Sequence, residues 1–187
     1  YKLFGLFRKV IKNIERSGKK KWGFMAIDKF AAKENRKNRI YEILQGTSEN
    51  IFVGALHCEE SVDAVASLIT NISYSEDIPV NFYTVRKVDT FFIWLLHRLM
   101  HPLPTKTKKR FLSAAVRITY AFENALCDNE SDMVNWLINS NVYAEIVDNH
   151  DRLPSYLWER CAFMIGKMIS YSTMSMFSYM NSRPIIQ

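Results

Sequence analysis

Residues 111–126 read FLSAAVRITYAFENAL, and this stretch decides the fold. Phe111, Ala115, Ile118, Phe122 and Ala125 advance by four, three, four and three residues. Those steps place all five side chains on one face of an α-helix, a face that must be buried. The same stepping recurs at Cys58, Val62, Val65, Ile69 and Ile72, and again at Leu157, Cys161, Met164, Met168 and Tyr171. Three matching long helices imply an all-α chain in which similar units repeat. On the central helix, Arg117, Tyr120, Glu123 and Asn124 fall off the apolar stripe and are expected at the surface.

Composition agrees with a folded helical protein. Of 187 residues 48% are hydrophobic and 13% aromatic, which argues against bulk disorder. Only 6 glycines and 5 prolines are present, too few for a turn-rich sheet protein. No apolar run reaches the ~18 residues of a spanning helix. A start at Tyr1 rather than Met fits an excised or processed piece. Cys58, Cys127 and Cys161 are odd in number and widely spaced, which fits reduced, buried thiols and an intracellular (nuclear or cytoplasmic) setting.

The net charge of +6 is unevenly spread. Residues 1–40 contain 13 Lys or Arg against 3 acidic residues, whereas the remainder contains 12 against 16. Residues 1–45 therefore form a basic N-terminal region, followed by a helical domain over 46–172 and a Met- and Ser-rich tail over 173–187. Within the first region, Leu3, Phe7, Val10 and Ile14 share a stripe flanked by cations, an amphipathic helix suited to capping the stack. Lys19, Lys20, Lys21, Arg36, Lys37 and Arg39 make a basic patch able to meet nucleic-acid phosphates. An anionic membrane surface is a third partner class for such a helix.

Further along, Ile51, Phe52 and Val53 have strand propensity but no partner strand. Val85, Val88, Phe92, Leu95 and Leu99 mark one apolar helix that ends near His101, where Pro102 and Pro104 prevent continuation. The central helix is expected to stop around Cys127, Asp128 and Asn129. A short helix presents Val134, Leu137 and Ile138, Ser140-Asn141 breaks it, and another short helix carries Val142 and Ile146. A tight connection through Pro154 then enters the third long helix.

That order resembles an armadillo repeat, and more loosely a HEAT repeat. Residues 134–147 resemble the first two helices of an armadillo unit and residues 160–170 its third, with Ala162 where helices cross closely. Ala66 and Ala115 occupy the corresponding places upstream. The resemblance implies a right-handed stack of about three armadillo/HEAT-like units, offering a concave surface to an extended segment or helix of another protein. In importin-α-like members a Trp and an Asn of each third helix hold the peptide. Asn71 matches that Asn, but Ser67 stands at the Trp position, and Tyr120 and Lys167 replace the Asn in the other two helices. Asn71, Tyr120 and Lys167 are thus candidate partner-binding residues without a repeated Asn ladder.

Chemistry-bearing motifs are sparse. There is no Gly-bounded nucleophile elbow, GxxxxGK[ST] or GxGxxG. His97 and His101 have the i, i+4 spacing of zinc ligands, yet Arg98 stands where HExxH needs its glutamate. The expectation is a non-enzymatic binding protein without metal or cofactor. Met164 and Met168 should pack in the core, while Met174, Met176 and Met180 could form an adaptable surface to be hidden against another protein or a missing repeat. A stack this short leaves apolar ends that a terminal helix, a dimer mate (a homo-oligomer) or a partner should cover.

Overall fold

The computed structural model describes Leu44, residues 50–74 and residues 78–183. The basic patch Lys19, Lys20, Lys21, Arg36, Lys37 and Arg39 and the expected N-terminal helix lie outside the described residues. Within them the chain is all-helical: α1 (Glu59–Ser73), α2 (Asn81–Val85), α3 (Val88–Leu99), α4 (Thr105–Asn139), α5 (Val142–Asp148), α6 (Ser155–Tyr171) and α7 (Met174–Ser182). Short 3-10 turns at Val53–His57 and His150–Arg152 complete the order. The apolar segment at Ile51, with strand propensity, becomes the first of these turns.

Each stepped segment is a long helix. Val62, Val65, Ile69 and Ile72 on α1 are buried, as are Leu157, Cys161, Met164 and Met168 on α6, while Tyr171 is half-buried. All five stripe residues of the central helix are buried too. That helix, α4, packs against α1 on one side and α6 on the other. A second row of contacts follows, because Ala114, Val116, Thr119, Ala121 and Leu126 are buried as well.

The three long helices run parallel. Thr107 Oγ1 at the start of α4 donates to Glu59 Oε2 at the start of α1 (3.1 Å). Further along, the Thr70 hydroxyl lies 2.8 Å from the Arg117 carbonyl oxygen, and Asn124 Nδ2 donates to Ser73 Oγ (3.0 Å). From α4 to α6 the numbers again rise together, Tyr120 meeting Arg160 and Cys127 meeting Lys167. The stagger differs between the two pairs. Thr70 and Arg117 are 47 residues apart, but Cys127 and Lys167 only 40, so Tyr120 does not sit across from Lys167 as the spacing of Ala115 and Ala162 would have it.

Helix α4 is two helices joined at a sharp break. Glu130 has φ 34° and ψ −116°, outside helical space. Along a straight helix, Phe122 and Trp136 would stand about 21 Å apart, yet their ring centroids are 5.6 Å apart. The chain therefore folds back at Glu130, next to the expected stop at Asn129. Trp136 then closes an aromatic cluster with Tyr83 (5.7 Å) and Phe122, which also meets Phe92 (5.2 Å) and Tyr83 (6.3 Å). Asn141 at φ 63° separates α4 from α5, a left-handed conformation that Asn tolerates better than most residues.

Two segments differ from their sequence-based outlines. Val85 does not begin the helix of Phe92 and Leu99; it ends α2, and Lys87 at φ 52° turns the chain between the two. Phe82 and Tyr83, both on α2, are buried in the core. The segment after Ser172 forms α7, on which Met180 is buried and Met174 exposed. Tyr143 Oη donates to the Met180 carbonyl oxygen (3.0 Å) and Arg183 meets Asp148 (2.6 Å), seating α7 on α5. Replacing Phe122 by Ala should lower unfolding free energy in urea by about 3–5 kcal/mol, with Met174→Ala within about 0.5 kcal/mol of the parent.

Candidate functional site

Two stripes with the same spacing face each other across α4 and α6. Tyr120, Glu123 and Cys127 step by three and four along α4; Arg160, Phe163 and Lys167 do the same along α6. The steps keep each trio on one helical face, and the parallel packing places one trio beside the other.

Glu123 corrects the sequence-based expectation of a surface residue: it is 5% exposed. It is sandwiched because α6 covers that side of α4. Its carboxylate pairs with the Arg160 guanidinium, and Lys167 Nζ lies 3.9 Å from the second oxygen. Burial raises the Glu123 pKa above its ordinary value, and the two cations oppose that rise. Desolvation is the larger effect, so the pair is costly to build and costlier to break.

Above the carboxylate the guanidinium is flanked by rings. Arg160 Cζ stands 4.1 Å from the Tyr120 ring centroid and 5.3 Å from that of Phe163. Lys167 Nζ is 5.5 Å from Phe163 and 3.5 Å from Cys127 Sγ. Cation–π attraction fixes both rings while leaving them accessible: Tyr120 is 38% and Phe163 54% exposed. The result is an aromatic and cationic surface anchored to a buried anion.

Of the three candidate partner-binding residues, the structure brings Tyr120 and Lys167 into one cluster. Asn71 is half-buried on α1, with α4 between α1 and α6. Arg160, Phe163 and Glu123 were not singled out by sequence. The signal was present as two like-spaced stripes of complementary charge, but only the helix register identifies them as neighbours.

The other candidates separate. His97 Nε2 lies 2.8 Å from Glu145 Oε2, joining α3 to α5, while His101 is exposed. Among the described residues no group of three or more His, Cys, Asp or Glu could hold a metal ion. The cysteines are free, but only Cys161 is buried; Cys127 is exposed and Cys58 half-buried. Burial pushes the Cys161 thiol up to about 12. At the start of α1 the polar groups of Ser61 and the backbone N–H of Glu60 lower the Cys58 thiol below its ordinary value, against the opposing effect of burial. Among the described residues no helix is long and apolar enough to cross a membrane. No family model, curated protein or solved structure matches this chain.

Replacing Arg160 by Met should cost about 3–5 kcal/mol in urea unfolding at neutral pH, because Glu123 is left buried with only the more distant Lys167 to offset its charge. The double variant Glu123→Leu, Arg160→Met should recover most of that loss. The pH dependence is a separate check. A raised folded-state pKa means that the native chain takes up a proton more readily than the unfolded one, so the associated stability is present at acid pH and lost as pH rises through the folded value. Wild-type stability relative to Glu123→Gln should therefore fall as pH climbs from the ordinary glutamate range.

Proposed function

We propose that this chain is a non-enzymatic protein–protein interaction module, a scaffold or adaptor. Its three parallel long helices are read as one layer of a right-handed stack of about three armadillo/HEAT-like units, with Asn71, Tyr120 and Lys167 on the inner, concave side. The observation that carries the reading is the guanidinium of Arg160 between two accessible rings, set on two packed helices. Tyr, Phe and Arg are the residue types enriched at the centres of protein interfaces. Holding them on a rigid pair of helices reduces the entropy lost on binding.

The partner is an extended segment or helix that lays apolar groups over Tyr120 and Phe163 and places an acceptor by Lys167. Three free thiols fit a reducing, intracellular setting. Affinity capture from the native source tests the reading with the double variant Tyr120→Ser, Lys167→Gln. Both side chains are partly solvent-exposed and their contacts are weak, so stability should change by under about 1 kcal/mol. Capture of the partner should be lost in that variant and retained in Lys109→Gln; retention in both overturns the assignment.

A further inference from the structure

Helix α1 begins on a thiol. Cys58 is its N-cap, extended at φ −137° and ψ 100°, a place where helices usually carry Ser, Thr, Asp or Asn. The Ser61 amide donates to the Cys58 carbonyl oxygen (2.8 Å), which closes the first turn and brings the two residues together. Ser61 is fully buried, and its Oγ has no hydrogen-bond partner among the described residues. A buried hydroxyl without a partner is costly. This one is directed at the thiol: the Ser61 side chain is the largest influence on the Cys58 pKa and lowers it, against burial and the Glu60 carboxylate. Cys58 itself is only half-buried, so reagents in solution can reach the sulfur.

We propose that Cys58 is a redox-modification site, oxidised by hydrogen peroxide to the sulfenic acid and then capped by a small thiol. The thiolate sulfur attacks one peroxide oxygen. The S–O bond forms as the O–O bond breaks, and the electron pair leaves with hydroxide, which takes up a proton and departs as water. Sulfur loses two electrons and the peroxide gains them. The new oxygen is an acceptor beside Ser61 Oγ, so the modification supplies the partner that the buried hydroxyl lacks. It also stands at the start of a 15-residue helix, whose first-turn N–H groups favour a thiolate and a negatively charged oxygen alike.

The positions of the other two thiols determine the second step. Thr107 near the start of α4 meets Glu59, the neighbour of Cys58. Cys127 is a further 20 residues along α4, about 30 Å of helix. Cys161 lies on α6, with α4 between it and α1. A disulfide needs Cα atoms within roughly 7 Å, so neither can resolve a sulfenic acid at Cys58, and the chain has three cysteines in all. The sulfenic acid therefore condenses with a small thiol of the glutathione class. The thiol sulfur attacks the oxidised sulfur, an S–S bond forms, the S–O bond breaks and water leaves. This site stands on α1, apart from the α4–α6 seam proposed for another protein, so the two can be tested separately.

The test traps sulfenic acid with dimedone while the full chain is exposed to hydrogen peroxide at neutral pH, and counts it at each cysteine by peptide mass spectrometry. Cys58 should be labelled at least about threefold faster in the native chain than in the guanidinium-unfolded chain, where its thiol has no such donors. Ser61→Ala deletes a hydroxyl that bonds to no other described group, so the variant should unfold in urea no earlier than the parent. Its native Cys58 should nevertheless react at least about threefold more slowly. The first comparison stands whether or not the variant folds. With glutathione added after the peroxide, the intact wild type should gain one glutathione, on Cys58. Native Cys58 labelled no faster than in the unfolded chain, or a folded Ser61→Ala chain whose Cys58 reacts as the wild type does, overturns the proposal. So does a disulfide joining Cys58 to Cys127 or Cys161 in place of the glutathione.

Discussion

Helix α4 has to be buried on almost its whole circumference. An amphipathic helix at the edge of a bundle hides one stripe, but α4 lies between α1 and α6 and also receives α3 and α5. Small side chains at Ala114, Ala115, Ala121 and Ala125 let its neighbours approach, while Phe111 and Phe122 fill the space between them. Its buried polar groups must find partners in the same layers. Thr119 Oγ1 donates to the Val116 carbonyl (2.7 Å), and Glu123 is met by Arg160. The packing of the middle helix thus dictates where the buried Glu123 carboxylate and its cations stand.

Parallel alignment of the three long helices follows from how the chain returns between them. After α1, the turn at Lys87 and helix α3 bring the chain back to the start of α4. After α4, the break at Glu130 reverses it, Asn141 turns it again and α5 leads to Pro154 and α6. Both returns run through the aromatic cluster of Tyr83, Phe92, Phe122 and Trp136, so the connections and the core are one structure. Burial pushes Tyr83 well above its ordinary pKa, in keeping with a ring packed among others. Parallel stacking in turn brings like-spaced stripes of successive helices side by side, and the Tyr120–Arg160–Phe163 surface is the product.

Helix positions were legible in the sequence because periodicity reports burial directly. The stripes at Phe111, Val62 and Leu157 each mark a real helix, and Pro154 and Asn141 mark real boundaries. Less legible was anything fixed by the register between helices. Glu123 looked like a surface residue because it lies off the main apolar stripe; its burial depends on α6 covering a second side of α4. The end of α2 at Val85 was hidden because the turn that follows it puts Lys87 at φ 52°, a left-handed conformation uncommon for Lys. Asn71, Tyr120 and Lys167 were singled out through a repeat register that the 40-residue offset of Cys127 and Lys167 does not follow; the packing of α4 on α6 groups Tyr120 with Lys167 and leaves Asn71 apart. Of the basic N-terminal region only Leu44 lies within the described residues, where it is buried in the core.

Native-state hydrogen exchange addresses the position of α4 most directly. If the first half of α4 is the layer that every other helix depends on, the amides of residues 114–126 should exchange only through global unfolding, with the free energy found in urea. Those of α7, which touches the rest mainly through Met180 and Arg183, should exchange through smaller openings. Protection in residues 114–126 no greater than that in α7 would contradict the account.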